Sequence, residues 1–545
     1  MPDSPEVPPG LGDGPDAVTV AARQQALGSG ELTSARLTAF YTERIGRLDP
    51  GLHTVITVNP AAAQEAEASD AARAAGRARG PLDGIPVLVK DNIQVGGMPT
   101  TAGSPALAGA GSADAFCVTR LRQAGAVILG KANLSEWANF RSTHSTSGWS
   151  TLGGQAANPR GPGRNPSGSS SGSAAAVAAG LAPLAIGTET DGSIVCPASA
   201  CGIVGIKPTV GLVSRSGIVP ISAAQDTAGP MARSVADAAA LLSILAAADP
   251  DDPAASAAHL NGLNFPSPAD YTSCCDPGAL HGARVGVWRA GSAAAGAPTA
   301  AVLDQAVARL RELGAVVIDP VELPDAEKIG VPEFGALLRE FKHGVGAYLA
   351  GLPGGQHRTL ADLIGFNDRN AGLVLARFGQ EVFEQAEAAS GDLADPGYRE
   401  LRAAASRLAR AALDTPLVTH RLDAIVALTA SPAWLTDYAL GDHDVFHTSG
   451  PAAVSGYPAV SLPFGYVWGL PVGISFMGPR WSEPRLIALA YAFEQAAEAA
   501  RGPSAPPAPP HVTTGSPPRL AETLAPLPAR VPPLAGVLID DKRAR

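Results

Sequence analysis

Residues 165–180 read NPSGSSSGSAAAVAAG and place five hydroxyls within seven positions, at Ser167, Ser169, Ser170, Ser171 and Ser173. A serine attacks a carbonyl only when a neighbouring group takes its proton, and histidine is the usual base. None lies close in sequence, and His144 in RSTHSTSGW has no obvious acidic partner. Gly168-Ser169-Ser170-Ser171-Gly172 satisfies G-x-S-x-G, the nucleophile elbow, which would make Ser170 the attacker. That elbow needs a buried strand immediately before the serine. Here Pro159, Pro162 and Pro166 remove backbone donors and Gly161 and Gly163 weaken pairing, so the context fails.

Two other motifs fail similar tests. GAVILGKA (125–132) is one residue short of a phosphate-binding loop, has Ala132 where a magnesium-holding hydroxyl belongs, and reads as a core strand through Val127, Ile128 and Leu129. His443 and His447 stand four apart in DHDVFH, a spacing that suits a metal on a helix, but the glutamate of H-E-x-x-H is missing. Five cysteines (Cys117, Cys196, Cys201, Cys274 and Cys275) form no C-x-x-C pair, which predicts reduced and mostly buried thiols.

A base of another kind stands at Lys90, which ends the apolar run GIPVLVK and precedes DNI. A strand there carries an amine from the sheet interior to its carboxyl edge, where ligands sit in α/β sheets. Burial disfavours the ammonium form. To act as a base near neutrality the amine must fall from about 10.4 by roughly three units, about 4 kcal/mol, which full desolvation can supply. The competing reading has Lys90 reach solvent with Asp91 as its partner. Farther on, LAIGTETDGSIVCPAS (184–199) runs from an apolar strand through a polar turn to Gly192 and Ser193. Successive N–H groups in such a turn converge on an oxyanion, and Gly192 permits close approach, so Ser193 is a candidate attacker beside its own oxyanion hole. Alternatively Thr188, Thr190 and Ser193 merely cap the turn.

These residues need a sheet to hold them. Short β-rich runs occur at 85–90, 126–130, 184–188, 283–289, 315–320, 423–429, 459–465 and 472–478. Helical patterns at 34–48, 234–248 and 482–500 alternate with them, the last two starting at serine caps. Repeated alternation predicts an α/β fold, one large domain over 16–501 with a central mixed, mostly parallel twisted sheet covered by helices on both faces. Residues of about 326–415 read as a helical insertion, and the proline-punctuated segments 1–15 and 502–545 as flexible tails. The chain has 545 residues, 46% hydrophobic and 17% charged, with a net charge of −10 and no basic aromatic cluster. That balance argues against a nucleic-acid surface. No basic, apolar leader and no membrane-length apolar run occur, which predicts a soluble, cytoplasmic protein that does not bind membranes.

Lys90 in VLVKDNI, the serine–glycine stretch 168–173 and GTETDGSI (187–194) resemble the amidase signature family. Longer segments extend the likeness to its bacterial peptide amidase branch over about residues 16–500: LSEWANFRS (134–142), GTETDGSIVCPAS (187–199), GIVGIKPTVGLVSRSGIVPIS (202–222), QDTAGPMARSVADAA (225–239) and SEPRLIALAYAFEQA (482–496). The resemblance implies a Ser–Ser–Lys triad with Ser193 as nucleophile, Ser169 as the bridging serine after a cis peptide at Gly168–Ser169, and Lys90 as the base. It makes the backbone amides of Thr190, Asp191, Gly192 and Ser193 the oxyanion hole, and it implies no metal or organic cofactor. Many members carry glycine where this chain has Asp191 and arginine where it has Val195, and the aspartate agrees with the peptide amidase branch. Asp191 either contacts the leaving amide or serves as a turn carboxylate. The implied activity is hydrolysis of a linear carboxamide, a C-terminal peptide amide or similar primary amide, by a monomer or homodimer. The alternatives are aryl or fatty-acyl amide hydrolysis, amide formation, and the role of a glutamyl-tRNA amidotransferase-type subunit.

Overall fold

The computed structural model describes residues 18–501 apart from 112, 261–269, 290 and 293, so the expected tails at 1–15 and 502–545 lie outside the described residues. Eleven strands form the main sheet: β1 Val55–Val58, β2 Pro86–Lys90, β3 Val127–Ala132, β4 Leu184–Glu189, β5 Val204–Lys207, β6 Thr227–Ala232, β7 Arg284–Val287, β8 Val316–Ile318, β9 Ala424–Leu428, β10 Ala459–Val467 and β11 Leu470–Met477. Their spatial order is β1-β3-β2-β4-β6-β5-β10-β11-β9-β7-β8. Parallel pairing is concentrated in two blocks, β3-β2-β4 and β9-β7-β8, and the strands between and beside them pair antiparallel.

Each of the eight β-rich runs forms a strand. The three additional strands carry weaker local signals. β1 is a four-residue edge strand, and β6 (TAGPMA) contains Gly229 and Pro230, residues that speak against a central strand. Gly229 is there because the backbones approach closely: a Cβ on it would lie 2.1 Å from the Ile206 carbonyl oxygen.

Alternating side chains bury both faces of the sheet. In β9, Val426 and Leu428 join the large core shared with Leu303 and Leu310 of the helix Ala297–Glu312 and with Leu486 and Phe493. Ile425 and Ala427 join a second core with Ala412, Leu413 and Leu417 of the helix Pro396–Thr419. The helix Ser34–Leu48 starts at Thr33, whose hydroxyl accepts from the Arg36 amide, and Ser234 caps Val235–Leu245 through the Asp237 amide. Ser482 departs from expectation. It precedes the helix Glu483–Arg501, yet its hydroxyl has no partner among the described residues and only its carbonyl accepts, from the Leu486 amide.

Between β8 and β9 the described chain is helical, with Gly330–Gly351, Leu360–Arg369, Ala371–Val374, Glu381–Ala388 and Pro396–Thr419. The segment following β3 fastens it: the Val382 amide donates to the Arg141 carbonyl, and the Ser142 hydroxyl donates to Glu381 at 2.7 Å. No helix among the described residues is long and apolar enough to cross a membrane.

Candidate active site

β2 and β4 are parallel neighbours, with Val87 opposite Leu184 and Val89 opposite Ile186. This register brings Lys90, the last residue of β2, beside Thr188 near the end of β4. Because the side-chain period is two, Asp91 points to the other face, where it pairs with Lys131 of β3 at 3.2 Å. Lys90 is fully buried, so the solvent-facing reading with Asp91 as partner fails. Its Nζ lies 2.8 Å from Ser169 Oγ, 2.9 Å from Thr188 Oγ1 and 3.2 Å from the Thr188 carbonyl. Asn92 Nδ2 donates to the same Thr188 hydroxyl at 2.9 Å.

A neutral amine offers two donors and one lone pair. In that form the amine would donate to the two Thr188 oxygens and accept from the Ser169 hydroxyl, whereas the ammonium would donate to all three oxygens. Burial lowers the Lys90 pKa to about 7, the more distant charges of Glu189 and Asp226 opposing it.

Ser169 follows a cis peptide bond from Gly168, at the position the resemblance implied. Ser170, the elbow candidate, is buried and occupied by structure: its hydroxyl donates to the Thr188 carbonyl at 3.0 Å and accepts from the Thr188 amide at 3.2 Å. Ser173 donates to the Ile186 carbonyl and Ser171 to the Ser167 carbonyl. The hydroxyls in this stretch therefore fasten the helix Ser171–Ala178 to its surroundings, and Ser169 alone among them meets Lys90.

β4 ends at Glu189 and the chain turns through Thr190, Asp191, Gly192 and Ser193 into the helix Val195–Cys201. The turn is tied down on several sides. The Glu189 carboxylate, buried and with its pKa raised by that burial, accepts from the amides of Ile194 and Val195 at 2.7 and 3.0 Å. Thr190 Oγ1 donates to Asp226 at 2.6 Å, and Gln225 Nε2 donates to the Thr190 carbonyl at 3.2 Å. Asp226 also accepts from the amides of Ile221 and Ser222, and burial raises its carboxyl to about 6. Gly192 has φ +78°, and a Cβ there would lie 2.9 Å from Cys196 Sγ and 3.0 Å from Ser449 Oγ. The N–H groups of Asp191, Gly192 and Ser193 have no protein acceptor among the described residues.

Ser193 is half-buried, and its hydroxyl has no hydrogen-bond partner among the described residues. It lines a cavity of about 230 Å³ together with Ser169, Thr188, Thr190, Asn92 and Asp226. The sequence-predicted trio thus meets at one place, with the Lys90–Ser169 link closed and Ser193 open to the same space. The Asp191 carboxylate accepts from Ser449 Oγ at 2.5 Å, and that oxygen lies 2.9 Å from His447 Nδ1.

A family model, Amidase, matches residues 36–487. The chain belongs to the amidase family. This amidase is 42% identical over 490 residues to a probable amidase of Arabidopsis thaliana, a match covering 88% of this chain and 90% of that one. The native peptide amidase from Stenotrophomonas maltophilia superposes with a TM-score of 0.84 at 49% identity, covering 90% of this chain and 98% of its own. A glutamyl-tRNA(Gln) amidotransferase subunit of Chloroflexus aurantiacus is 34% identical over 494 residues, covering 88% of this chain and 97% of that one. The amidase is a hydrolase acting on carbon–nitrogen bonds of linear amides.

Sequence reading did not single out Asn92, Glu189, Gln225 or Asp226. A signal existed for Asn92, which lies two residues beyond Lys90 and so projects to the same side if the extended backbone continues. His443 and His447 are not on a helix. His443 Nε2 lies 2.9 Å from Asp437 while His447 meets Ser449, and among the described residues no group of three or more His, Cys, Asp or Glu side chains could hold a metal ion. Lys131 of the loop-like GAVILGKA is a buried strand residue, as the strand reading required.

Proposed function

We propose that this amidase hydrolyses a primary carboxamide, of which a C-terminal peptide amide is the leading case, through a Ser193–Ser169–Lys90 proton relay and an acyl-enzyme. The observation that carries the reading is the buried Lys90 amine, with its pKa lowered to about 7, placed 2.8 Å from Ser169 Oγ. Lys90 accepts the Ser169 proton while Ser169 takes the proton of Ser193, whose oxygen attacks the amide carbon. The N–H groups of the turn Thr190 to Ser193 stabilise the tetrahedral oxyanion, a role supported by the absence of a protein acceptor for those of Asp191, Gly192 and Ser193 among the described residues. Collapse of that intermediate breaks the C–N bond, and the proton held by Lys90 returns through Ser169 to the departing nitrogen. Water then attacks the Ser193 ester and regenerates the free enzyme.

Peptide rather than tRNA-linked substrates are supported by the identity to the peptide amidase structure, which exceeds that to the amidotransferase protein. The test is ammonia release from a panel of peptide amides, anilides and fatty-acyl amides by the purified chain alone. Ser193→Ala is expected to give no acyl-enzyme and less than about 0.1% of wild-type turnover, roughly the loss of a nucleophile that acts with its base as a unit. Full turnover in that variant refutes the assignment, and activity only after addition of partner proteins favours the amidotransferase reading.

A further inference from the structure

A second cavity, of about 390 Å³, also adjoins the reactive turn: Thr190 and Ser193 line the first cavity and Asp191 lines this one. Its wall includes Asp191, Glu333, Trp288, Glu322, Glu327 and His447, and among the described residues no lysine or arginine contributes to it. Two of the carboxylates have an oxygen to spare. Ser449 holds Asp191 Oδ1 and Gln225 holds Glu333 Oε1, at 2.5 and 2.8 Å, whereas the second oxygen of each has no partner among the described residues. Glu333 is only 7% exposed, and it lines this cavity.

A largely buried carboxyl group with one oxygen free toward a cavity is stabilised in its charged form when a donor reaches that oxygen. Arg402, whose charge acts on Glu333, is committed elsewhere: it pairs with Glu340 at 2.6 Å and donates to the Gln225 side-chain carbonyl. Burial, with the charge of Asp191 adding to it, pushes the Glu333 carboxyl up to about 8. A cation between the two carboxylates relieves both effects. Trp288 supplies an aromatic wall suited to such a guest.

We propose that this cavity is a cation subsite, in which Asp191 and Glu333 receive an ammonium or guanidinium carried by the acyl part of the substrate, so that the enzyme prefers amides with a positive charge near the scissile carbonyl. The inference rests on the amidase reading above and refines its substrate class. Asp191 thereby becomes a specificity-determining residue, since it stands two positions from Ser193 and is locked by Ser449 and His447.

The test compares kcat/KM for matched pairs: N-acetyl-lysinamide against N-acetyl-norleucinamide, and alaninamide against N-acetyl-alaninamide. The wild type is expected to favour the cationic member of at least one pair by tenfold or more, and Glu333→Gln combined with Asp191→Asn to bring that ratio near one. Equal rates within both pairs, or a preference that survives the double substitution, overturns the proposal. Calorimetric titration with n-butylguanidinium supplies a readout independent of turnover. Wild-type binding that is lost in Glu333→Gln supports the subsite even if none of the four amides is hydrolysed, a result that would count against the amidase substrate reading alone. Absence of wild-type binding overturns the subsite.

Discussion

Replacing Lys90 by methionine isolates the energetic consequence of burying an amine. Moving a lysine from 10.5 to about 7 corresponds to about 5 kcal/mol against its charged form. In the native state the proton is lost near pH 7, whereas in the unfolded chain it is held until about 10.5. Between these values the unfolded state binds one more proton, so native stability rises with pH across the window and is lowest, by the full amount, below it. Methionine removes the titration while keeping an unbranched apolar side chain one atom shorter. It also removes the hydrogen bonds to Ser169 and Thr188, and the buried oxygens left behind cost about 1–3 kcal/mol each. That second term does not depend on pH, which makes the comparison decisive. From pH 6 to pH 9 the wild type should gain about 3 kcal/mol relative to Lys90→Met, the portion of the linkage that falls between those limits. Urea unfolding of both proteins at the two pH values measures it, and the buried Lys207, with its pKa lowered to about 8, cancels because both proteins carry it. Wild-type kcat/KM should rise through an apparent pKa near 7 to a plateau, and the variant should lose at least the 10²–10⁴-fold typical of a removed general base. A stability difference that is flat with pH, or that runs the other way, would mean that Lys90 is charged in the native protein and would refute the neutral-amine argument.

Gly192→Ala should cost about 1–2 kcal/mol of stability, from the left-handed backbone and the contacts with Cys196 and Ser449, and lower kcat by about 10²–10³ as the turn amides move; thermal melts and ammonia release measure the two effects separately. Arg141 and Glu136 form a fully buried ion pair at 3.0 Å, so Arg141→Met should destabilise the fold by about 3–5 kcal/mol by leaving Glu136 uncompensated. Burial raises the Glu136 pKa, and the loss should shrink as pH falls and the carboxyl takes a proton. Adding Glu136→Gln should recover much of it in chemical denaturation.

The parts of the fold legible in the sequence are those with an uninterrupted local pattern. GIPVLVK, AVILG and LAIGT are apolar runs bounded by glycine, proline or polar turns, and they became β2, β3 and β4, which carry the site. β6 was hidden because Gly229 and Pro230 obey the demand of neighbouring backbone rather than strand propensity. The separation of parallel and antiparallel pairing was hidden too, since strand direction depends on connections longer than any motif. Within the site, residue types pointed to Lys90, the serine-rich stretch 165–180 and the turn 190–193, while the family resemblance, not spacing, distinguished Ser169 from its neighbours. Asn92, Glu189 and Asp226 escaped because a buried carboxylate or amide acquires meaning only from the backbone amides and hydroxyls it meets, at Ile194, Val195, Ile221 and Thr188.

Two lysines on adjacent strands show what local pattern cannot decide. Lys90 on β2 and Lys131 on β3 both follow apolar runs, and both are fully buried with pKa values lowered by desolvation. Lys131 has the Asp91 carboxylate 3.2 Å away, so pairing opposes the desolvation and links β3 to the end of β2. Lys90 touches only neutral oxygens, those of Ser169 and Thr188, and nothing in contact compensates the ammonium form. Strand alternation assigns the two fates. Asp91 directly follows Lys90 in sequence, yet the pleat sends its carboxylate to the opposite face and gives it to the other lysine. A one-residue slip of β2 would reverse the arrangement, bringing the carboxylate to the Ser169 side and carrying the amine away from it. The surroundings of the Lys90 amine are therefore set by the register of β2 against β3 and β4, which brings it to Ser169 and Thr188 and leaves the carboxylate to Lys131.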